Sequence, residues 1–262
     1  MNAVIKNQIM PVLFVSHGSP MLAVDTDQAG ELINWGTNLP KPKAILVFSA
    51  HWEGNQLALG ESGIHDKLIY DFYGFPDNLY ELQYPAPGSQ WLAETVQEIM
   101  SNKMQVPVTT RGLDHGVWVP FLHLWPRSDI PIVQMSMPSN LSNRELYELG
   151  EQLAPLREQG VMIVTSGVIT HNLSEYFSQQ YETPVDWVKS FDDWVKEVLL
   201  QRDISSLLNW ETAAPNAIRN HPTPEHFRPL LIAAGASGMN TVHFPIEGFD
   251  AGVLSNRSVQ FD

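Results

Sequence analysis

The sequence predicts an α/β fold: a mostly parallel or mixed central sheet covered by helices on both faces, with a ligand site at the carboxyl ends of the strands. Three observations predict it. Apolar runs rich in β-branched residues, Val-Leu-Phe-Val at 12–15, Ala-Ile-Leu-Val-Phe at 44–48 and Val-Met-Ile-Val at 161–164, read as short strands buried on both faces. Stretches with helical apolar spacing separate them, most clearly Leu146, Leu149, Leu153 and Leu156. At 262 residues, 44% of them hydrophobic, the chain can bury the core that such a sheet needs.

Each of the three strands ends in small residues with a histidine just beyond: His17, His51 and, through Val168-Ile169-Thr170, His171. Neighbouring parallel strands deliver their carboxyl ends to one edge, so the three imidazoles are expected on one rim. Between the first two strands, a helix through Glu31, Leu32, Ile33 and Trp35 is closed by Pro40 and Pro42. Residues 56–59 read as a further strand or edge. Residues 66–89 are dense in aromatics, proline and glycine, which suits a lid over a site or an aromatic-stapled surface loop. Ser89 caps a helix running to about Asn102, and 106–110 and 130–136 read as strands, with His115 in a glycine-flanked loop between them. Ser142 opens the leucine-striped helix, and Trp187, Phe191, Trp194, Val195 and Val198 mark another whose aromatics belong to the core. In 220–231, Thr223 as N-cap and Pro224 as first helical residue put His226 in a first turn, with Pro229 expected to kink that helix or shift its start.

One histidine at a strand end is ordinarily structural, but three at equivalent ends, joined by His226 and His115, point to a mononuclear metal site. Neutral imidazole suits Fe(II) and Zn(II), and the chain has no cysteine to offer instead. Glu53 and Asp114, close in sequence to two of the histidines, are candidate orienting groups or spare ligands, whereas His65, His123 and His243 lack this context. The formal net charge of −14, from 29 acids against 15 bases, argues against nucleic acid and anionic membranes as partners and for a small substrate. Residues 1–10 carry no apolar core long enough for a signal peptide and no run approaches a membrane span, so a cytoplasmic protein is expected. The acidic surface and the lack of a coiled-coil pattern favour a monomer.

Six motifs occur in order: Ser-His-Gly-Ser-Pro at 16–20, Ser-Ala-His-Trp at 49–52, Tyr-Pro-Ala-Pro-Gly at 84–88, Asp-His-Gly at 114–116, Thr-His-Asn-Leu at 170–173 and His-Pro-Thr-Pro-Glu-His at 221–226. Together they resemble the LigB-type (class III) extradiol ring-cleavage dioxygenases, in particular the 4,5-DOPA extradiol dioxygenase branch. The resemblance spans nearly the whole chain and implies one catalytic domain over residues 1–262. It implies His17 and His51 as metal ligands, His171 as the acid/base beside the metal and His115 as a histidine facing the substrate. The wider family completes its ligand set with a glutamate; here His226 occupies that place, with Glu225 as its competitor. His171 is also placed to close a four-histidine set around zinc, which would block the open positions that catalysis needs. The implied reaction inserts both atoms of O2 into a catechol, of which L-DOPA is the expected example, with Fe(II) the expected catalytic metal and Zn(II) a bound or surrogate one. Two other readings share the residues: a zinc hydrolase with His171 or Glu53 as base, and a non-enzymatic metal-binding interaction protein. A serine hydrolase through Ser16, Ser49 or Ser166 lacks the Gly-x-Ser-x-Gly elbow.

Overall fold

The computed structural model of the protein describes residues 9–178 and 181–262; most of the stretch read for a signal peptide, residues 1–8, lies outside the described residues. The predicted apolar runs form parallel strands: β1 (Val12–Ser16), β2 (Ala44–Gly54), β3 (Ile132–Pro138) and β4 (Val161–Gly167). β5 (Val242–Ile246), β6 (Phe249–Asp250), β7 (Leu254–Ser255) and β8 (Ser258–Phe261) follow, β6 and β7 pairing with each other. The main sheet runs β3-β2-β4-β1-β8-β5, with β8 antiparallel to both of its neighbours, so the sheet is mixed.

Helices α1 (Thr26–Asn38), α2 (Gln90–Met100), α3 (His115–Leu124), α4 (Asn143–Leu153) and α5 (Leu173–Ser178) belong to the first two thirds of the chain. After them come α6 (Asp186–Gln201), α7 (Ile204–Leu208), α8 (Trp210–Ala213), α9 (Ala217–Asn220) and α10 (Arg228–Ser237). Side chains alternate across a strand, and the two faces accordingly build two cores. Val12, Phe14, Leu46, Phe48 and Ile163 pack with apolar residues of α2, α4, α6 and α10, while Leu13, Val15, Ile45, Val47 and Val164 pack with those of α1 and α3. α10 lies so close on α4 that a Cβ at Gly235 would overlap the Tyr147 carbonyl oxygen. Ser142 and Glu145 form a capping box at the start of α4, and Ser89 caps α2 through the Leu92 amide.

Four local expectations change. Residues 56–59 and 106–110 are not strands: Leu59 and Val108 form one isolated bridge, because Pro107 has no N–H with which to extend a ladder. His115 is not in a loop but is the first residue of α3, with Asp114 at the N-cap, and the helix is apolar enough to be buried almost throughout. Of the two effects expected of Pro229, it shifts the start of the last helix, and this takes His226 out of the helix's first turn. α10 begins at Arg228, His226 lies in the preceding turn closed by Phe227 N–H on Pro224 O (3.0 Å), and the Thr223 hydroxyl turns to Glu225 (3.0 Å) instead of capping a helix.

Candidate metal centre

Parallel register carries the predicted rim into place. Ser16 is level with Gly167 and Ser49 with Ser166, so His17 and His51 leave adjacent parts of one edge, and His171 hangs from the loop after β4 with its amide on Asn220 O (3.0 Å). The turn before α10 brings His226, and the first residue of α3 brings His115. All five rings gather at one site. The His17 ring centre is 4.9 Å from that of His51, 5.3 Å from His226 and 5.7 Å from His115, and His51 is 4.0 Å from His115. The donor atoms fall into two groups, each compact enough for an ion: His17, His51 and His115, and His171, Glu225 and His226. The rings of His171 and His226 are stacked, 3.5 Å apart and 9° from parallel. Stacked in parallel, these two rings cannot both aim in-plane lone pairs at one ion, so the second group is compact by distance but not arranged to bind through both imidazoles.

The neighbours of each ring decide which nitrogen carries the proton. In α3, Pro120 has no N–H to give to the carbonyl four residues back, that of Gly116. The hydroxyl of Ser166 donates to that freed oxygen instead. Having spent its proton, this hydroxyl accepts from His17 Nδ1–H at 2.9 Å, so His17 Nε2 bears a lone pair. Gly116 is required for this approach: a Cβ there would lie 2.6 Å from Ser49 Oγ and 2.9 Å from the His51 ring. His226 donates Nδ1–H to Glu225 Oε1 (2.9 Å), leaving its buried Nε2 without a hydrogen-bond partner. His51 Nε2 is 3.1 Å from His17 Nε2, and its Nδ1 is 3.4 Å from Asp71 Oδ2. Converging imidazole nitrogens and an orphaned buried lone pair fit a divalent cation held by nitrogen ligands.

Electrostatics agree. Burial, reinforced by the neighbouring imidazoles, holds His17 and His226 well below the usual histidine range. Burial likewise lowers His51 and His171 to about 4. These rings are neutral at pH 7 and their lone pairs are available. Asp71 stays ionised: burial opposes this, but the hydrogen bond from His115 and the His115 and His51 rings bring it to about 2.

The cluster floors a cavity of about 390 Å³ whose walls include Pro20, Met21, Phe72, Tyr73, Leu173 and Phe177. Two residues singled out from the sequence do not face it. Glu53 pairs with Arg228 Nη1 (3.0 Å), and Asp114 is buried beneath the rim, accepting from Ser49 Oγ (2.7 Å) and Gln134 Nε2 (2.5 Å). Sequence reasoning missed Asp71, whose only signal was its place among the aromatics of 66–89, and the part Ser166 plays through Pro120.

Residues 11–261 match the profile of the family described as the catalytic LigB subunit of aromatic ring-opening dioxygenases. The chain belongs to this LigB family. Among its relatives, "4,5-DOPA dioxygenase extradiol" of Beta vulgaris is 40% identical over 98% of this chain and 98% of its own length. The enzyme of the same name from Escherichia coli K12 is 38% identical, covering 96% of this chain and 94% of its own. The crystal structure of an uncharacterized E. coli K12 protein superimposes with a TM-score of 0.77 at 33% identity, covering 97% of this chain and 100% of that one. The protein is thus an enzyme, a LigB-family extradiol dioxygenase, and its family and histidine cluster imply a metal cofactor, a small-molecule substrate and O2. Among the described residues no helix is long and apolar enough to cross a membrane.

Proposed function

We propose that the whole chain, residues 1–262, is one catalytic domain that cleaves a catechol next to its diol, with L-DOPA as the representative substrate. His17, His51 and His226 hold the metal in this reading. The observation that carries it is the buried Nε2 of His226, which has no hydrogen-bond partner, on a ring centred 5.3 Å from that of His17 and 5.0 Å from that of His51, whose own Nε2 atoms are 3.1 Å apart. Fe(II) in that place supplies a Lewis acid for the catechol oxygens and the electron that lets triplet O2 react; Zn(II) suits the same nitrogens without the redox step.

The remaining work falls to side chains. His171, stacked on His226 and therefore outside the ligand set, faces the cavity as the first acid/base group. Neutral at pH 7, it accepts a hydroxyl proton from the bound catechol; as an imidazolium held near 4 by burial, it readily gives that proton back to a product oxygen. His115, whose Nδ1 is engaged by Asp71, presents Nε2 as the second such group. Phe72 and the aliphatic walls exclude water and grip the ring faces. The protein works as a monomer in the cytoplasm in this account. Metal-stripped protein reloaded anaerobically with Fe(II) is expected to consume O2 in proportion to added L-DOPA and form a yellow product, while a zinc-loaded sample does not. No uptake with L-DOPA or simpler catechols, from protein shown to hold iron, would overturn the proposal.

A further inference from the structure

We infer that Asp71 is a positioning residue that orients two histidines at once, His51 on the metal side and His115 on the substrate side. The inference rests on the reading above, in which His51 is a ligand and His115 faces the catechol. Asp71 Oδ1 accepts both the backbone N–H of His115 (3.1 Å) and its Nδ1 (2.8 Å). An ionised carboxylate only accepts, so the His115 proton sits on Nδ1 and the lone pair on Nε2. Asp71 Oδ2 lies 3.4 Å from His51 Nδ1, within ion-pair reach of the ring nitrogen though not hydrogen-bonded to it. A proton drawn to that nitrogen frees His51 Nε2, the atom 3.1 Å from His17 Nε2, as a metal donor. The carboxylate thus biases His51 electrostatically toward the tautomer that Ser166 and Glu225 set by hydrogen bonds in His17 and His226.

Asp71 is not on a free loop. The Ile69 amide donates to Leu113 O (2.8 Å), the Trp118 indole donates to Ile69 O (3.2 Å), and the Phe72 and His115 rings pack T-shaped with centres 5.6 Å apart. The aromatic segment therefore delivers one carboxylate to a fixed point between two rings whose centres are 4.0 Å apart. A single oxygen pair serves both the ion and the base, so the two functions share one support.

The test uses the full chain with Asp71→Ala and the isosteric Asp71→Asn, whose amide has one acceptor oxygen and puts an NH2 donor in place of the other. Zinc affinity is read by competition with a chromophoric chelator, and histidine tautomers by ¹⁵N NMR of the zinc-loaded protein. Both variants are expected to bind zinc at least about 10-fold more weakly, and iron-saturated kcat to fall by about 10- to 100-fold with little change in KM. Asp71→Ala is expected to abolish the Nδ1–H assignment of His115. If Asp71→Ala does not fold, the Asn variant carries the test. Zinc affinities within about twofold of wild type, with unchanged tautomers, would overturn the inference. Should the wild type cleave no catechol, the functional reading fails, yet zinc affinity and tautomers still judge Asp71.

Discussion

Ser166→Ala tests the chain of hydrogen bonds that runs from Pro120 to the metal site. The hydroxyl serves two buried groups, the Gly116 carbonyl and His17 Nδ1 at 2.9 Å, and its neighbourhood is closed: Ser166 is fully buried and His17 nearly so. Removing one oxygen leaves an unpaired acceptor and an unpaired donor, each costing about 1–3 kcal/mol, so a loss of about 2–4 kcal/mol in folding stability is expected after partial relaxation. His17 also loses the acceptor that holds its proton on Nδ1, and zinc affinity is expected to fall by about 10- to 100-fold. Urea unfolding of metal-free protein reads the first effect and chelator competition the second. The companion Pro120→Ala restores an N–H four residues after Gly116, which competes for the same carbonyl; it is expected to leave stability nearly unchanged while weakening zinc. Wild-type zinc affinity in Ser166→Ala, with stability intact, would refute the tautomer argument.

Four further outcomes follow from the same geometry. His171→Ala is expected to keep its metal, as measured by elemental analysis, while iron-supported turnover falls by about 10²- to 10⁴-fold; unchanged turnover would remove it from acid/base work. His226→Ala should weaken metal binding far more than the about 10- to 100-fold expected of Glu225→Ala, and the reverse order would make the carboxylate the ligand. His221, buried with its Nε2–H on Ile169 O, is held at about 4 by burial, as are His51 and His171. Each binds fewer protons folded than unfolded between that value and about 6.5, so metal-free stability should be full above pH 6.5 and fall toward pH 4, by up to about 1.4 kcal/mol per pH unit for each histidine; a flat profile in chelator would contradict neutral burial. Gly235→Ala should cost about 1–3 kcal/mol or more in a urea titration, since its methyl would force α4 and α10 apart, and a near-neutral result would mean that the helices are looser than described.

The strands and the five histidines were legible because each rests on a local signal: a β-branched apolar run, or a histidine just past it. His17, His51 and His171 reach one edge because parallel register requires it. His115 was misplaced because two flanking glycines imitate a loop, when Gly116 is instead the price of close approach to Ser49 and His51. Thr223 and Pro224 imitate a helix start that Pro229 moves to Arg228. Glu53 and Asp114 lie beside the histidines in sequence, but Arg228 draws one away and Gln134 and Ser49 hold the other under the rim. Asp71 and Ser166 were out of reach for a different reason. Their roles depend on partners 44 and 149 residues away, and no periodicity reports such pairings.

The most direct test of the central claim is anomalous diffraction at the iron edge from crystals loaded anaerobically with Fe(II). A single peak within bonding distance of the Nε2 atoms of His17, His51 and His226, with His171 unbonded and stacked, is the result expected. A peak bonded to Glu225, or to His115 in place of His226, or a fourth bond from His171, would contradict the ligand set and the acid/base role built on it.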